Sequence, residues 1–405
     1  MQSRYDAQRY EMVYDLHRVV AEFARGECGE RLPQLLESAY KFYCTGKAVE
    51  NPKTLEDLRS VLEAQYFAFQ LGNYEEAADL IMDSLEKYLQ PWGHWSLYKS
   101  LCEQILPHVS KRDRRYWLQR IGYVHSDWGN WHEAERYFRD ALAIAEEEGI
   151  KSGISTALGL LGDIERNRGN WNEAERLYRQ SLQMRTELGD RSGMASSYGV
   201  LGDIERNRGN WEEAERLYRQ KLEMCEELGD RQGMSPVIGT LGDIERNRGN
   251  WNEAERLYRQ SLEMRTELGD RSGMASSYGV LGNIERNRGN WNEAERLYRQ
   301  SLEIEAELGD RSGMAISIGC LGENELGKGN LDEAEKLLTD ALQQMEALGM
   351  TWHIAETNFD LARLWRDRDN LELAQQYYQK AHDLYSQLGA AKEVERIERE
   401  WKGGK

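Results

Sequence analysis

The sequence predicts an all-α fold, an α-solenoid of tandem helical hairpins. Three observations carry that expectation. The first is an internal repeat: residues 161–200 and 241–280 are identical except for Gln183 against Glu263, and 201–240 and 281–320 are close copies. The second is the presence of only five prolines in 405 residues, which leaves long helices unbroken. The third is a mean hydropathy of -0.79 alongside 12 Trp and 21 Tyr. That balance suits a thin object that buries aromatic side chains between neighbouring units.

The period is 40 residues, marked by Gly169, Gly209, Gly249, Gly289 and Gly329. Weaker copies extend it upstream at Gly129-Asn130-Trp131 and downstream at Asp369-Asn370-Leu371. Second helices are therefore expected to start near 131, 171, 211, 251, 291, 331 and 371, giving seven units over 113–388. Within residues 190–229, Asp190 reads as the N-cap of a first helix that runs to about Asn207. Gly209 reads as the left-handed residue that ends it. Asn210 with Glu213 three residues on resembles a capping box for the second helix. From Ala214, Leu217, Tyr218 and Leu222 form an apolar stripe, and Gly229 closes the helix. Gly202 lies inside the first helix, where glycine costs about 1 kcal/mol against alanine, so a close helix contact is expected there. Ser235-Pro236 interrupts one copy and predicts a kink or a later helix start.

The flanks follow the same reading. Residues 1–56 form an N-terminal helical segment, with RYEMVYDLHRVVAEFARGE as its amphipathic run. Residues 57–112 hold a divergent hairpin around Leu71-Gly72-Asn73-Tyr74, with an extra helix near 94–108. Residues 389–405 read as a polar capping helix and tail over the last apolar face.

Net charge is -18 and the pI is near 5.1, so the chain repels nucleic acid phosphate and anionic membrane surfaces. The five cysteines, Cys28, Cys44, Cys102, Cys225 and Cys320, are scattered and form no C-x-x-C pair, which reads as free thiols in the cytoplasm. No signal peptide opens the sequence and no apolar run reaches membrane-spanning length. The seven histidines form no metal-ligand spacing, and no nucleophile motif or phosphate loop is present. The expectation is a non-enzyme without a cofactor or metal.

The pattern Leu201-Gly202, Gly209-Asn210-Trp211, Ala214, Tyr218, Leu222 resembles the tetratricopeptide repeat. The 40-residue unit, with ELGDRSGMA between hairpins, is similar to the lengthened repeats of LGN/Pins-type scaffolds and of bacterial signalling proteins. The resemblance covers roughly 113–388 and implies a right-handed superhelix whose first helices line a concave groove. The chain departs from the family at the first-helix tyrosine, where Glu165, Glu205, Glu245 and Glu285 stand, with Ile164, Ile204 and Ile244 one position earlier to take over its packing. The N-terminal run resembles the stretch that joins the winged-helix region of NB-ARC (STAND) ATPases to their repeat sensors.

Carried onto this sequence, the groove positions are Ser196, Asp203, Arg206, Asn207 and their equivalents. They give ladders of Asn167, Asn207, Asn247 and Asn287; of Arg166, Arg206, Arg246 and Arg286; and of Asp163, Asp203 and Asp243 with Asn283. Asparagine amides bind an extended backbone as donor and acceptor, and arginines bind carboxylates in pairs. Self-pairing of Asp203 with Arg206 and of Glu205 with Arg208, three residues apart on one helix, also fits. The Trp171, Trp211, Trp251 and Trp291 ladder reads as core. The ladder breaks at Leu326-Gly327, so a polar groove is expected to weaken there. The functional expectation is a scaffold holding a protein or peptide in the groove. A ligand-sensing module of a STAND-type system is the alternative, and end-to-end self-association is left open.

Overall fold

The computed structural model describes residues 29–45, 49 and 51–403. Among them every regular element is helical. The amphipathic run at 9–27 lies outside the described residues. The contacts divide the chain into two units, residues up to Ile204 and residues from Glu205 on.

The first unit begins with α1 (Leu32–Thr45), α2 (Arg59–Gln70) and α3 (Tyr74–Leu80). A π-helical turn at Ile81–Leu85 leads into the short α4 (Glu86–Leu89), and α5 (Trp95–Ile105) is the expected extra helix. Leu62, Ile81, Leu85, Leu89, Tyr98 and Trp117 are fully buried together. Two hairpins follow, α6 (Lys111–Asp127) with α7 (Trp131–Glu147) and α8 (Lys151–Asn167) with α9 (Trp171–Leu188). Next comes α10 (Arg191–Arg208), of which the residues from Glu205 on are counted with the second unit.

The second unit holds α11 (Trp211–Leu228), then the hairpins α12 (Arg231–Asn247) with α13 (Trp251–Leu268) and α14 (Arg271–Asn287) with α15 (Trp291–Leu308). They are followed by α16 (Arg311–Lys328) with α17 (Leu331–Leu348), α18 (Thr351–Asp367) with α19 (Leu371–Gln387), and the cap α20 (Ala391–Gly403). All seven second helices start at the residue the repeat predicts.

Two kinds of turn set the hairpins. Within a hairpin, glycine in the left-handed region ends the first helix, as at Gly169 and Gly249 with φ near +80°. Between hairpins, Gly189 ends the second helix at φ +67°, and Asp190 caps the next by accepting the Gly193 N–H at 2.9 Å. The expected capping box does not form. Asn210 makes no side-chain cap bond; its amide donates instead to Glu205 Oε2 at 2.7 Å, and Glu213 pairs with Arg216.

The helical glycines have the expected packing reason. A Cβ at Gly162 would stand 3.0 Å from the Tyr178 ring, and one at Gly282 would stand 2.5 Å from Tyr298. The second-helix aromatic therefore lies directly on the first-helix backbone. Ile164, Ile204 and Ile244 are fully buried beside it. Pro236 sits inside α12 without delaying its start, because Asp230 still caps the helix through the Gly233 N–H at 2.9 Å. Leu326, where the polar ladder breaks, is buried against Leu338, Leu361 and Leu364. The cap α20 buries Ile397 completely among Phe359, Tyr378 and Tyr385.

Candidate partner-binding site

The last turns of the first helices carry the predicted polar residues. On α8, Arg166 donates to Asp163 Oδ1 at 3.0 Å, and the Tyr178 hydroxyl donates to the same oxygen at 2.6 Å. On α12 the arrangement recurs: Arg246 pairs with Asp243 at 3.0 Å, and the Tyr258 hydroxyl donates to Asp243 at 2.7 Å. Each aspartate is thus held between an arginine of its own helix and a phenol of the partner helix. On α14, Asn283 replaces the aspartate and accepts from Tyr298 at 2.8 Å, which releases Arg286 to pair with Glu323 of the next first helix. Asp203 and Arg206 take the same half-buried places on α10. The arginines therefore serve the fold first.

The asparagines differ. Asn167, Asn207, Asn247 and Asn287 are all exposed, one residue beyond the arginine on each helix. Asn287 lines a cavity of about 630 Å³ with Trp251, Asn250, Asn252, Glu253 and Arg288. Trp251 is 38% exposed there, as is Trp171 on the first unit, so these two rings are open surface as well as packing. Trp131, Trp211 and Trp291 are half-buried. Ser196 is exposed, but its hydroxyl bonds back to the Ser192 carbonyl at 3.1 Å. It also lies about 16 Å along the helix from Asn207, from the rise per residue, so it is not gathered with the ladder.

The glutamates in place of the family tyrosine do a job the sequence reading assigned only in part. Glu165 accepts from Arg168 at 2.7 Å and from Asn170 at 2.7 Å, tying the helix end to the turn after it. Arg168 also reaches Glu135 of the preceding hairpin at 2.7 Å. In the second unit the same latch joins Arg248 to Glu215 and Glu245, and Arg288 to Glu255 and Glu285. Burial alone would raise Glu215, but the Arg219 and Arg248 guanidiniums outweigh it and hold the carboxyl below the usual range. These networks hold one hairpin to the next; they are not recognition chemistry.

A second polar position was not foreseen. Arg185 of α9 turns inward and donates to the Gly193 carbonyl at 2.7 Å and to Ser197 Oγ at 3.0 Å. Arg265 of α13 does the same with the Gly273 carbonyl at 2.6 Å and Ser277 Oγ at 2.9 Å. Burial pulls both guanidiniums down from their ordinary value. Position by position, the near-identical copies read Arg185, Cys225, Arg265 and Glu305 here. That variation was the available signal.

Residues 153–227, 235–306 and 313–387, and separately 116–148, match sequence models described as the tetratricopeptide repeat. No curated protein matches the chain in sequence. Among solved structures it is similar to a STAND protein with a tetratricopeptide repeat sensor from Pyrococcus horikoshii, at 15% identity and a TM-score of 0.66. That match covers 93% of this chain and 56% of that one, so the chain spans little more than half of that protein's length. It is also similar to the apo form of the quorum sensor NprR from B. thuringiensis, with 12% identity, a TM-score of 0.58 and coverage of 81% and 99%. A Rap protein complexed with Competence and Sporulation Factor matches at 14% identity and a TM-score of 0.53, covering 83% and 99%. At these identities the likeness is one of fold.

Proposed function

Because the chain belongs to the tetratricopeptide repeat family, which its sequence matches over more than half its length, we propose that it is a protein-interaction module without catalytic chemistry of its own. It works in the cytoplasm and takes a peptide or an extended segment of a partner protein on the exposed faces of its first helices. One observation carries the reading. At the end of each first helix in the near-identical repeats, the arginine is half-buried while the neighbouring asparagine, Asn167, Asn207, Asn247 or Asn287, stays exposed. An amide held on a rigid helix, with one donor and one acceptor side, suits a partner's main chain. The Rap protein whose structure holds Competence and Sporulation Factor supports a partner of this kind. A direct test is affinity capture from cell extract with the intact chain and with the four asparagines changed to alanine. Loss of the captured proteins is expected; an unchanged set sinks the asparagine ladder as the contact surface.

The second reading is a sensor or regulatory module of a STAND-type signalling system. It is favoured by the match to a protein of that class over 93% of this chain. Co-purification with an ATPase subunit or domain is the measurement that separates it from a free-standing scaffold.

A further inference from the structure

The inward position occupied by Arg185 and Arg265 holds Glu305 on α15. The acceptors that those arginines use are still present opposite it: the carbonyl of Gly313 and the hydroxyl of Ser317 stand where the Gly193 and Gly273 carbonyls and the Ser197 and Ser277 hydroxyls stand in the sister repeats. The guanidinium that would bond them is absent from this repeat, and a carboxylate has taken its place. A cavity of about 410 Å³ opens there between α14, α15 and α16, lined by Ser272, Ser276, Glu305, Ser312, Ser317 and Cys320 among others. That is ample for one long side chain.

The carboxylate itself is poorly provided for. Glu305 is only 7% exposed. Its Oε1 accepts from Ser301 Oγ at 3.0 Å, while Oε2 is buried with no hydrogen-bond partner. Burial raises its proton affinity, and the hydroxyls of Ser317 and Ser301 offset part of that. Gly313 keeps the space open, since a Cβ there would stand 2.9 Å from Glu305 Cγ. Asp310, at the turn, adds a second negative charge on this side. Among the described residues no cation figures in the surroundings that set its proton affinity, which are burial, two serine hydroxyls and Asp310. A buried acid of this kind is costly unless a cation or donor meets it.

We propose that the slot around Glu305 binds the guanidinium of an arginine side chain carried by a protein partner, in place of the internal arginine of the sister repeats. The fork of N–H donors answers the Glu305 carboxylate, the Gly313 carbonyl and the Ser317 hydroxyl at once, whereas an ammonium answers them only as a point charge. Copies at Cys225 and Met345 show the contrast. There the position is filled by an uncharged side chain, with Val237 and Thr357 opposite in place of the serine, and Met345 accepts from the Thr357 hydroxyl at 3.4 Å.

The slot rests on the partner-binding reading only for the bearer of the arginine, so it is tested with a small probe. The intact chain is titrated by calorimetry and NMR with N-acetyl-arginine amide, N-acetyl-lysine amide and N-acetyl-citrulline amide. Saturable binding of the arginine probe is expected, with the citrulline probe weaker by about tenfold or more, as charge-assisted hydrogen bonds require. Glu305→Gln is expected to weaken arginine binding by a similar factor while keeping the helical spectrum and melting curve. Glu305→Arg, which restores the sister arrangement, is expected to abolish binding and to melt at a higher temperature. No saturable arginine binding, citrulline or lysine bound as well as arginine, or an affinity unchanged by Glu305→Gln each overturns the slot. None of these results touches the asparagine ladder, whose own failure shows only in the capture experiment.

Discussion

The hairpins at 231–308 and the capped hairpin at 351–403 have the same backbone plan within one unit but are held together by different chemistry. In the former, Arg265 bonds inward to a carbonyl and a serine, Glu245 and Glu285 latch the turns, and Tyr258 rests on glycine with its hydroxyl on Asp243. In the latter, all of these positions except the tyrosine have changed. Tyr385 replaces the inward arginine, Trp365 replaces the latch glutamate, and Ala362 replaces the glycine. Arg363 stands where Asp243 does, and the Tyr378 ring stacks on Trp401 of the cap at 4.6 Å. Arg368 lies over the Trp365 ring at 5.0 Å while still reaching Glu335 at 2.5 Å. The hairpin geometry is thus fixed by turns and apolar spacing, and several polar or aromatic fillings are compatible with it.

The largest effect that sharpens this contrast is at the inward position. Tyr385 is completely buried among Ala355, Phe359 and Ile397, so Tyr385→Ala is expected to cost about 3–5 kcal/mol in denaturant unfolding. Arg265→Ala removes charge-assisted hydrogen bonds in place of packing and is expected to cost about 1.5–3 kcal/mol. Equal losses would mean that the two fillings are energetically alike and would break the comparison.

The glycine position comes next. Ala362 shows that a methyl group is accommodated when the aromatic ring moves onto the cap. At Gly282 a Cβ would meet the Tyr298 ring at 2.5 Å, and Tyr298 is fully buried. Gly282→Ala is therefore expected to destabilise by about 1–2 kcal/mol, overpacking outweighing the helix propensity gained. At Gly239 the nearest atom to a Cβ is 3.5 Å away, so Gly239→Ala is expected to stabilise by about 0.5–1 kcal/mol. The opposite signs are read as opposite shifts in melting temperature.

Acid should separate the two regions as well. Burial pushes Asp360 up to about 6, more than the neighbouring Arg363 pulls it down. A carboxyl whose folded value is raised opposes folding when ionised, so its penalty fades as pH falls from 7 through 6. The latch carboxyls Glu215 and Glu255 are held low by their arginines, so their contribution is present at neutral pH and is lost only on acidification below their ordinary range, near 4.5. Asp360→Asn is expected to flatten the gain in stability between pH 7 and 5 by about 1 kcal/mol, judged by urea unfolding at each pH. An unchanged pH profile would place the source of any such gain elsewhere.

Much of this was legible in the sequence because duplication kept the punctuation. The left-handed residue at the turn, glycine in six copies and Asp369 in the seventh, and the residue after the asparagine placed all seven second-helix starts. Ile164 and Gly162 announced the close packing of the two helices. What failed were choices between local partners. Asn210 had the spacing of a capping box, but a charged acceptor, Glu205, was within reach and won its amide. Of the two outcomes expected at Pro236, a kink or a later start, the later start does not occur, because the Asp230 cap kept the start in place. The inward arginines were invisible because their acceptors lie 8 and 12 residues away in the next helix. The substitution of Glu305 for Arg265 within a close copy of the repeat was the legible trace of that position.

The smallest expected effect concerns the asparagines, and it tells inherited sequence from used surface. The arginine beside each has a fold role where it meets Asp163 or Asp243, and Arg286 has one with Glu323. The asparagines are exposed in every copy. Changing Asn167, Asn207, Asn247 and Asn287 to alanine should therefore leave each site's contribution to stability within about 0.5 kcal/mol, with the melting curve nearly superimposed on that of the parent chain. Arg246→Ala, by contrast, strips Asp243 of its half-buried cation and should lower the melting temperature measurably, though by less than Arg265→Ala, because the pair is about one-third exposed. If the asparagine variant melts well below the parent, the amides are structural and their recurrence needs no partner to explain it. If it melts with the parent and loses its captured proteins, the same four residues are the surface that the fold leaves free for recognition.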